Sequence, residues 1–172
     1  MRIEITPTHL CIDGHVYARG LDRANYVTQF GEPDRDVELG PPAPFGHKNN
    51  RALFYDSWGI FLAEHHYSCL IQSVGIVLDR EHAYRKSQHA FSGDLVVCGV
   101  AMSQGMRPDE FLARCDVPFR RHLGHSLVYD AENLSIDIDY FHELTKSGRK
   151  SRKTKIAVVS VGFANAHRRA GQ

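Results

Sequence analysis

A loose internal repeat constrains this chain more than any other feature of its sequence. At an offset of 85 residues Leu10 falls on Leu95, Gly14 on Gly99, Gly20 on Gly105, Tyr26 on Phe111 and Val27 on Leu112. At an offset of 74, Leu53-Phe54-Tyr55-Asp56 falls on Leu127-Val128-Tyr129-Asp130, and Ile60 falls on Leu134. The difference between the offsets lies in the longer loop after the first helix, where insertions cost little. Near the end of each copy Ser73-Val74-Gly75-Ile76 matches Ser160-Val161-Gly162-Phe163. The repeat predicts two similar halves, residues 1–86 and 87–172, in one continuous compact domain. Each half reads as a hairpin, a helix and a three-stranded meander. The expected class is α+β, with the two halves joined in one antiparallel sheet and the helices packed on one of its faces.

Local signals place the elements. Ile3–Thr6 and Leu10–Val16 read as a hairpin around Pro7-Thr8. Asp22 is a good N-cap for a helix carrying Tyr26, Val27 and Phe30, and Gly31-Glu32-Pro33 stops it. Residues 32–50 hold four prolines and two glycines and read as a long loop. Apolar runs predict strands over 52–55, 60–63 and 70–78, with turns at Trp58-Gly59 and at 64–68. Residues 80–90 read as a polar linker or short helix, and 95–102 as a strand. Pro108 with Asp109-Glu110 opens a second helix that carries Phe111, Leu112 and Cys115. Strands follow over 126–129 and 134–140, and the chain's last strand runs from Ile156 to Phe163. In 134–140, Leu134, Ile136, Ile138 and Tyr140 alternate with Ser135, Asp137 and Asp139, the pattern of a strand with one wet face.

Composition excludes several classes. The 172 residues hold 21 basic and 20 acidic side chains, so net charge alone will not carry the chain onto DNA or an anionic membrane. The longest apolar run, Leu95–Met102, is far too short to span a bilayer, and no apolar stretch of signal-peptide type opens the chain. The four cysteines have no zinc-site spacing and read as reduced thiols. These features predict a cytoplasmic protein.

Strong catalytic motifs are missing: no G-x-S-x-G elbow, P-loop, Rossmann glycine fingerprint or H-E-x-x-H. His65-His66 is the only adjacent histidine pair; on one strand the two would point to opposite faces, in a turn they could share a metal. Asp56 and Asp130 follow Tyr in equivalent positions and read as turn caps, with a carboxylate dyad across the halves as the alternative. Lys146–Lys155 carries six Lys/Arg in ten residues without interleaved aromatics, as a solvated hairpin tip would. Asp130, Glu132, Asp137, Asp139 and Glu143 precede it, so a negative strand face lies beside a positive tip. That polarity suits a specific protein partner.

Phe30-Gly31-Glu32-Pro33, then Tyr55-Asp56-Ser57-Trp58-Gly59-Ile60, then Phe91-Ser92-Gly93-Asp94-Leu95 form a familiar succession. It resembles small bacterial immunity proteins found beside toxins of polymorphic and type VI secretion systems. The tandem order is also similar to the β-lactamase inhibitor protein architecture. The resemblance implies a protein without catalysis or cofactor that binds and occludes a cognate toxin in a one-to-one complex, away from membrane and nucleic acid, with a weak homodimer also compatible. Partner contacts are expected at Trp58, at Glu64, His65, His66 and Tyr67, and at Asp137, Asp139 and Tyr140. Two alternatives stand beside it. One is a small metal-dependent hydrolase using His65, His66 or Asp56. The other is a nucleic-acid or ligand-binding module using 146–155.

Overall fold

The structure is a computed structural model. It describes residues 1–39, 49–81, 87–144 and 150–164, with only the backbone described at 143–144 and 150–153. Among the described residues the chain is mostly β, with thirteen strands and two α-helices. Strands β1 (Arg2–Ile5), β2 (Leu10–Ile12) and β3 (His15–Tyr17) lead into helix α1 (Arg23–Phe30). Then come β4 (Arg35–Glu38), β5 (Arg51–Tyr55), β6 (Ile60–Glu64) and β7 (Ile71–Val77). Strands β8 (Asp94–Val97) and β9 (Val100–Ala101) precede helix α2 (Pro108–Arg114). The last four are β10 (Arg120–His122), β11 (Ser126–Asp130), β12 (Leu134–Leu144) and β13 (Lys150–Phe163).

The strands form two sheets, which corrects the expected α+β fold with helices on one face. One sheet has five strands in the order β3-β2-β1-β8-β9, the other eight in the order β10-β11-β12-β13-β7-β6-β5-β4. The helices span only eight and seven residues and bury Tyr26 and Phe30, and Pro108 and Phe111. Two turns of helix cannot cover eight strands. The hairpins β2-β3 and β8-β9 leave their meanders and join each other through β1, which lies antiparallel to β2 and parallel to β8. Ile3, Ile5, Ile12 and Val97 of the small sheet share one buried core with Leu62, Val74, Ile136 and Val161 of the large one.

Each meander has four strands rather than three. The additional ones, β4 and β10, are the charged edges of the large sheet, reading Arg-Asp-Val-Glu and Arg-Arg-His. Charge on an edge strand discourages pairing with another chain and also hides the strand from an apolar-pattern reading. Strand β4 therefore falls inside the expected loop 32–50. The run 95–102 is likewise not one strand, because Cys98-Gly99 takes positive φ of 48° and 82° and turns the chain. Asp13-Gly14 does the same between β2 and β3, with φ of 45° and 86°. Two consecutive residues at positive φ match the twist of a tight hairpin.

The meanders meet at β7 and β13, which run antiparallel with Val74 opposite Val161, Ser73 opposite Gly162 and Gly75 opposite Ser160. Helix α1 begins as expected: the Asp22 carboxylate accepts from the Asn25 backbone N–H at 3.1 Å, and Gly31 follows at φ 77°. Among the described residues no helix is long and apolar enough to cross a membrane.

Candidate functional site

Trp58 closes a 3-10 turn, Asp56–Trp58, between β5 and β6. Its ring stacks on Tyr55 (centroids 5.8 Å apart) and meets the edge of Phe30 (5.9 Å). Half-buried, it lines an open cleft of about 470 Å³ with Phe30, Phe91, Gln29, Asp13 and His15. Much of its surface therefore serves the molecule's own packing.

Asp56, one residue after Tyr55, neither caps the turn with its side chain nor faces Asp130. Its carboxylate is buried and accepts two hydrogen bonds from the Arg35 guanidinium, one of them 2.8 Å long. It also accepts from the Gln88 backbone N–H (2.8 Å) and the Ser87 hydroxyl (3.2 Å). The guanidinium in turn lies 4.2 Å over the Phe54 ring. The Arg35 hydrogen bond, above the other partners, holds the Asp56 carboxyl below its ordinary range against the opposing effect of burial. The group pins the chain between the halves: Phe91 N–H donates to Val77 O at 2.7 Å, and a Cβ on Gly59 would stand 2.4 Å from Phe91 N. Asp130 lies on β11, five strands from β5 and roughly 24 Å away across the sheet, so the dyad does not form.

Glu64, His65, His66 and Tyr67 lie at the opposite end of β6, in and beside the β6–β7 turn. The turn brings the rings together: His65 and His66 centroids are 4.9 Å apart, His66 and Tyr67 3.8 Å. Asn50 Oδ1 accepts from the His66 backbone N–H (2.9 Å) and lies 2.7 Å from its ring Nδ1. A pocket of about 210 Å³ gathers Glu38, Arg51, Glu64, His65, His66 and Cys69. Among the described residues, no three His, Cys, Asp or Glu side chains are placed to hold one metal ion.

Asp137 and Asp139 sit on β12, three strands from β6, facing away from the shared core. One cross-strand row of this outer face runs Arg120, Val128, Asp137, Ser160, Gly75, Phe61, Phe54, Arg35. The first meander contributes its aromatic end, where the Phe61 ring occupies the space a Cβ on Gly75 would take. The second contributes its polar end. Both carboxyls are half-buried rather than wet, and both are raised above their ordinary range. Burial is the main cause for each; Asp139 and Asp130 add repulsion at Asp137, while His122 and His125 pull the other way. Among the described residues neither is in a salt bridge. Arg120 is taken by Asp130, and Arg121 by Asp109 and the Tyr140 hydroxyl. Ser160, opposite Asp137, is 8% exposed, and its hydroxyl has no hydrogen-bond partner. Tyr140 is 5% exposed in the shared core, so it does not share the carboxylate face.

The structure thus leaves the three groups of expected contacts apart, and Asp137 with Asp139 forms the one that alternation along a strand could find. Ser160 was missed because nothing local marks a serine in an apolar strand as unpaired. The basic run is only partly visible: residues 146–149 lie outside the described residues, as do the side chains of 150–153.

No curated protein and no solved structure matches this chain. A family model described as a domain of unknown function, DUF7738, matches residues 2–111, from β1 into α2. This span takes in the whole first meander and the parallel pairing of β1 with β8, and the chain belongs to the DUF7738 family.

Proposed function

We propose that this chain is a cytoplasmic binding protein that occludes a cognate protein toxin in a one-to-one complex and carries out no catalysis itself. The observation that supports this reading is the outer face of β12. Two half-buried carboxylates stand there side by side, and among the described residues no cation forms a salt bridge with them. Partly desolvated charge without a counter-charge costs stability, and a partner that brings the cation offsets that cost. The lack of strong catalytic motifs and the resemblance to toxin-immunity proteins agree with it.

Co-expression with the toxin encoded beside the gene tests the reading. Growth should be rescued, and the two chains should co-elute one to one. The D137K/D139K variant should keep its circular dichroism spectrum and bind at least about 100-fold more weakly, since like charge in an interface costs several kcal/mol. A toxin that stays active and unbound beside the folded chain overturns the reading.

A further inference from the structure

The same face allows the partner's chemistry to be specified, an inference that rests on the proposed binding function. Asp137 and Asp139 are two positions apart on β12, so their carboxylates project from one face roughly 7 Å apart. Ser160 stands directly opposite Asp137 on β13, buried, with a hydroxyl that neither donates nor accepts. An unmade hydrogen bond at a buried hydroxyl is costly, so it is a second sign, independent of the acids, of a group missing from the site.

We propose that Asp137, Asp139 and Ser160 form a receptor for one arginine side chain of the protein partner. The separation suits a planar group with donors on two edges. A guanidinium offers five N–H donors in a fixed fork, enough to reach both carboxylates and the serine oxygen together. An ammonium is a compact, strongly hydrated point charge, poorly matched to two acceptors this far apart and costly to dehydrate on a half-buried face. A divalent ion is disfavoured because no three ligating side chains converge here among the described residues. Among the described residues no arginine fills this place, since those of the adjoining edge strand are engaged by Asp130 and Asp109.

The probe is N-acetyl-arginine amide, titrated into the intact protein while the aspartate side-chain carboxyl ¹³C resonances are followed. Saturable shifts are expected at Asp137 and Asp139. N-acetyl-lysine amide and calcium should each need at least about tenfold higher concentration for the same effect. D137N and D139N should each abolish saturation, and S160A should weaken it about threefold with both carboxylates intact. Equal responses to the lysine and arginine probes, no shift with arginine, or a shift that survives D137N each overturn the proposal. The outcomes separate from those for the toxin complex. A complex that forms without an arginine response removes this inference alone, and an arginine response without a toxin complex removes only the proposed function.

Discussion

The two meanders carry the same arginine–aspartate pair in two environments. Arg35 lies opposite Phe54 with Asp56 two residues on; Arg120 lies opposite Val128 with Asp130 two residues on. The Asp56 side chain is 4% exposed and that of Asp130 55%. The difference lies in what covers them. Ser87 and Gln88 of the connection between the halves close over Asp56, whereas Asp130, at the end of β11, remains exposed beside the edge strand β10. An ion pair repeated in sequence thus became a fastening in one copy and a surface contact in the other. The aromatics follow suit: Phe30, Tyr55 and Trp58 cluster in the first half, while their counterparts by offset are Cys115, Tyr129 and Glu132.

Breaking each pair should give the largest contrast. R35A or D56A leaves a buried charge or an opened anchor and should cost about 3 kcal/mol in urea unfolding. R120A and D130A should each stay within about 0.5 kcal/mol. Similar losses at both pairs would remove the distinction. Next in size, W58A strips a half-buried aromatic cluster and should cost about 2 kcal/mol, against less than about 0.5 for E132A.

Acid should separate the halves as well. The Asp56 carboxyl is lowered below its ordinary 3.8, so its contribution is fully present above that value and disappears as pH falls through the folded-state value. Asp137 and Asp139 are raised and carry the opposite sign: protonation as pH falls from neutral relieves their cost. Urea midpoints measured from pH 7 to pH 2 should fall less steeply below about pH 3.8 in D56N than in the unaltered protein, and D137N and D139N should keep that fall. The smallest expected effect is a gain. D137N should stabilise the protein at pH 7 by about 0.5 kcal/mol, read as a rise in midpoint, because it removes an unpaired charge beside a like one.

The sequence disclosed what local pattern controls. Apolar runs marked β5, β6, β7, β11, β12 and the apolar end of β13, and Asp22 and Gly31 marked the ends of α1. It hid what depends on distant partners. Arg35–Glu38 looks like loop because an edge strand is charged for reasons outside itself. Nothing in Arg2–Ile5 announces a parallel partner more than ninety residues away, and so one expected sheet became two. At the candidate site the Asp137–Asp139 alternation was visible. The burial of Asp56 by Ser87 and Gln88 was not, since it is a fact of tertiary packing.

Parallel pairing of β1 with β8 and antiparallel pairing of β7 with β13 set a timetable for a chain emerging from the ribosome. Strand β1 cannot find β8 until the first meander and the connection have been made. The edge of β7 stays open until Val158 appears, 81 residues after its partner Val77. At about 5–20 residues per second that is roughly 4–16 s with a Val- and Ile-rich edge unpaired. The nascent first half therefore carries an open strand edge, and a ribosome stalled between β8 and β13 would release an aggregation-prone fragment.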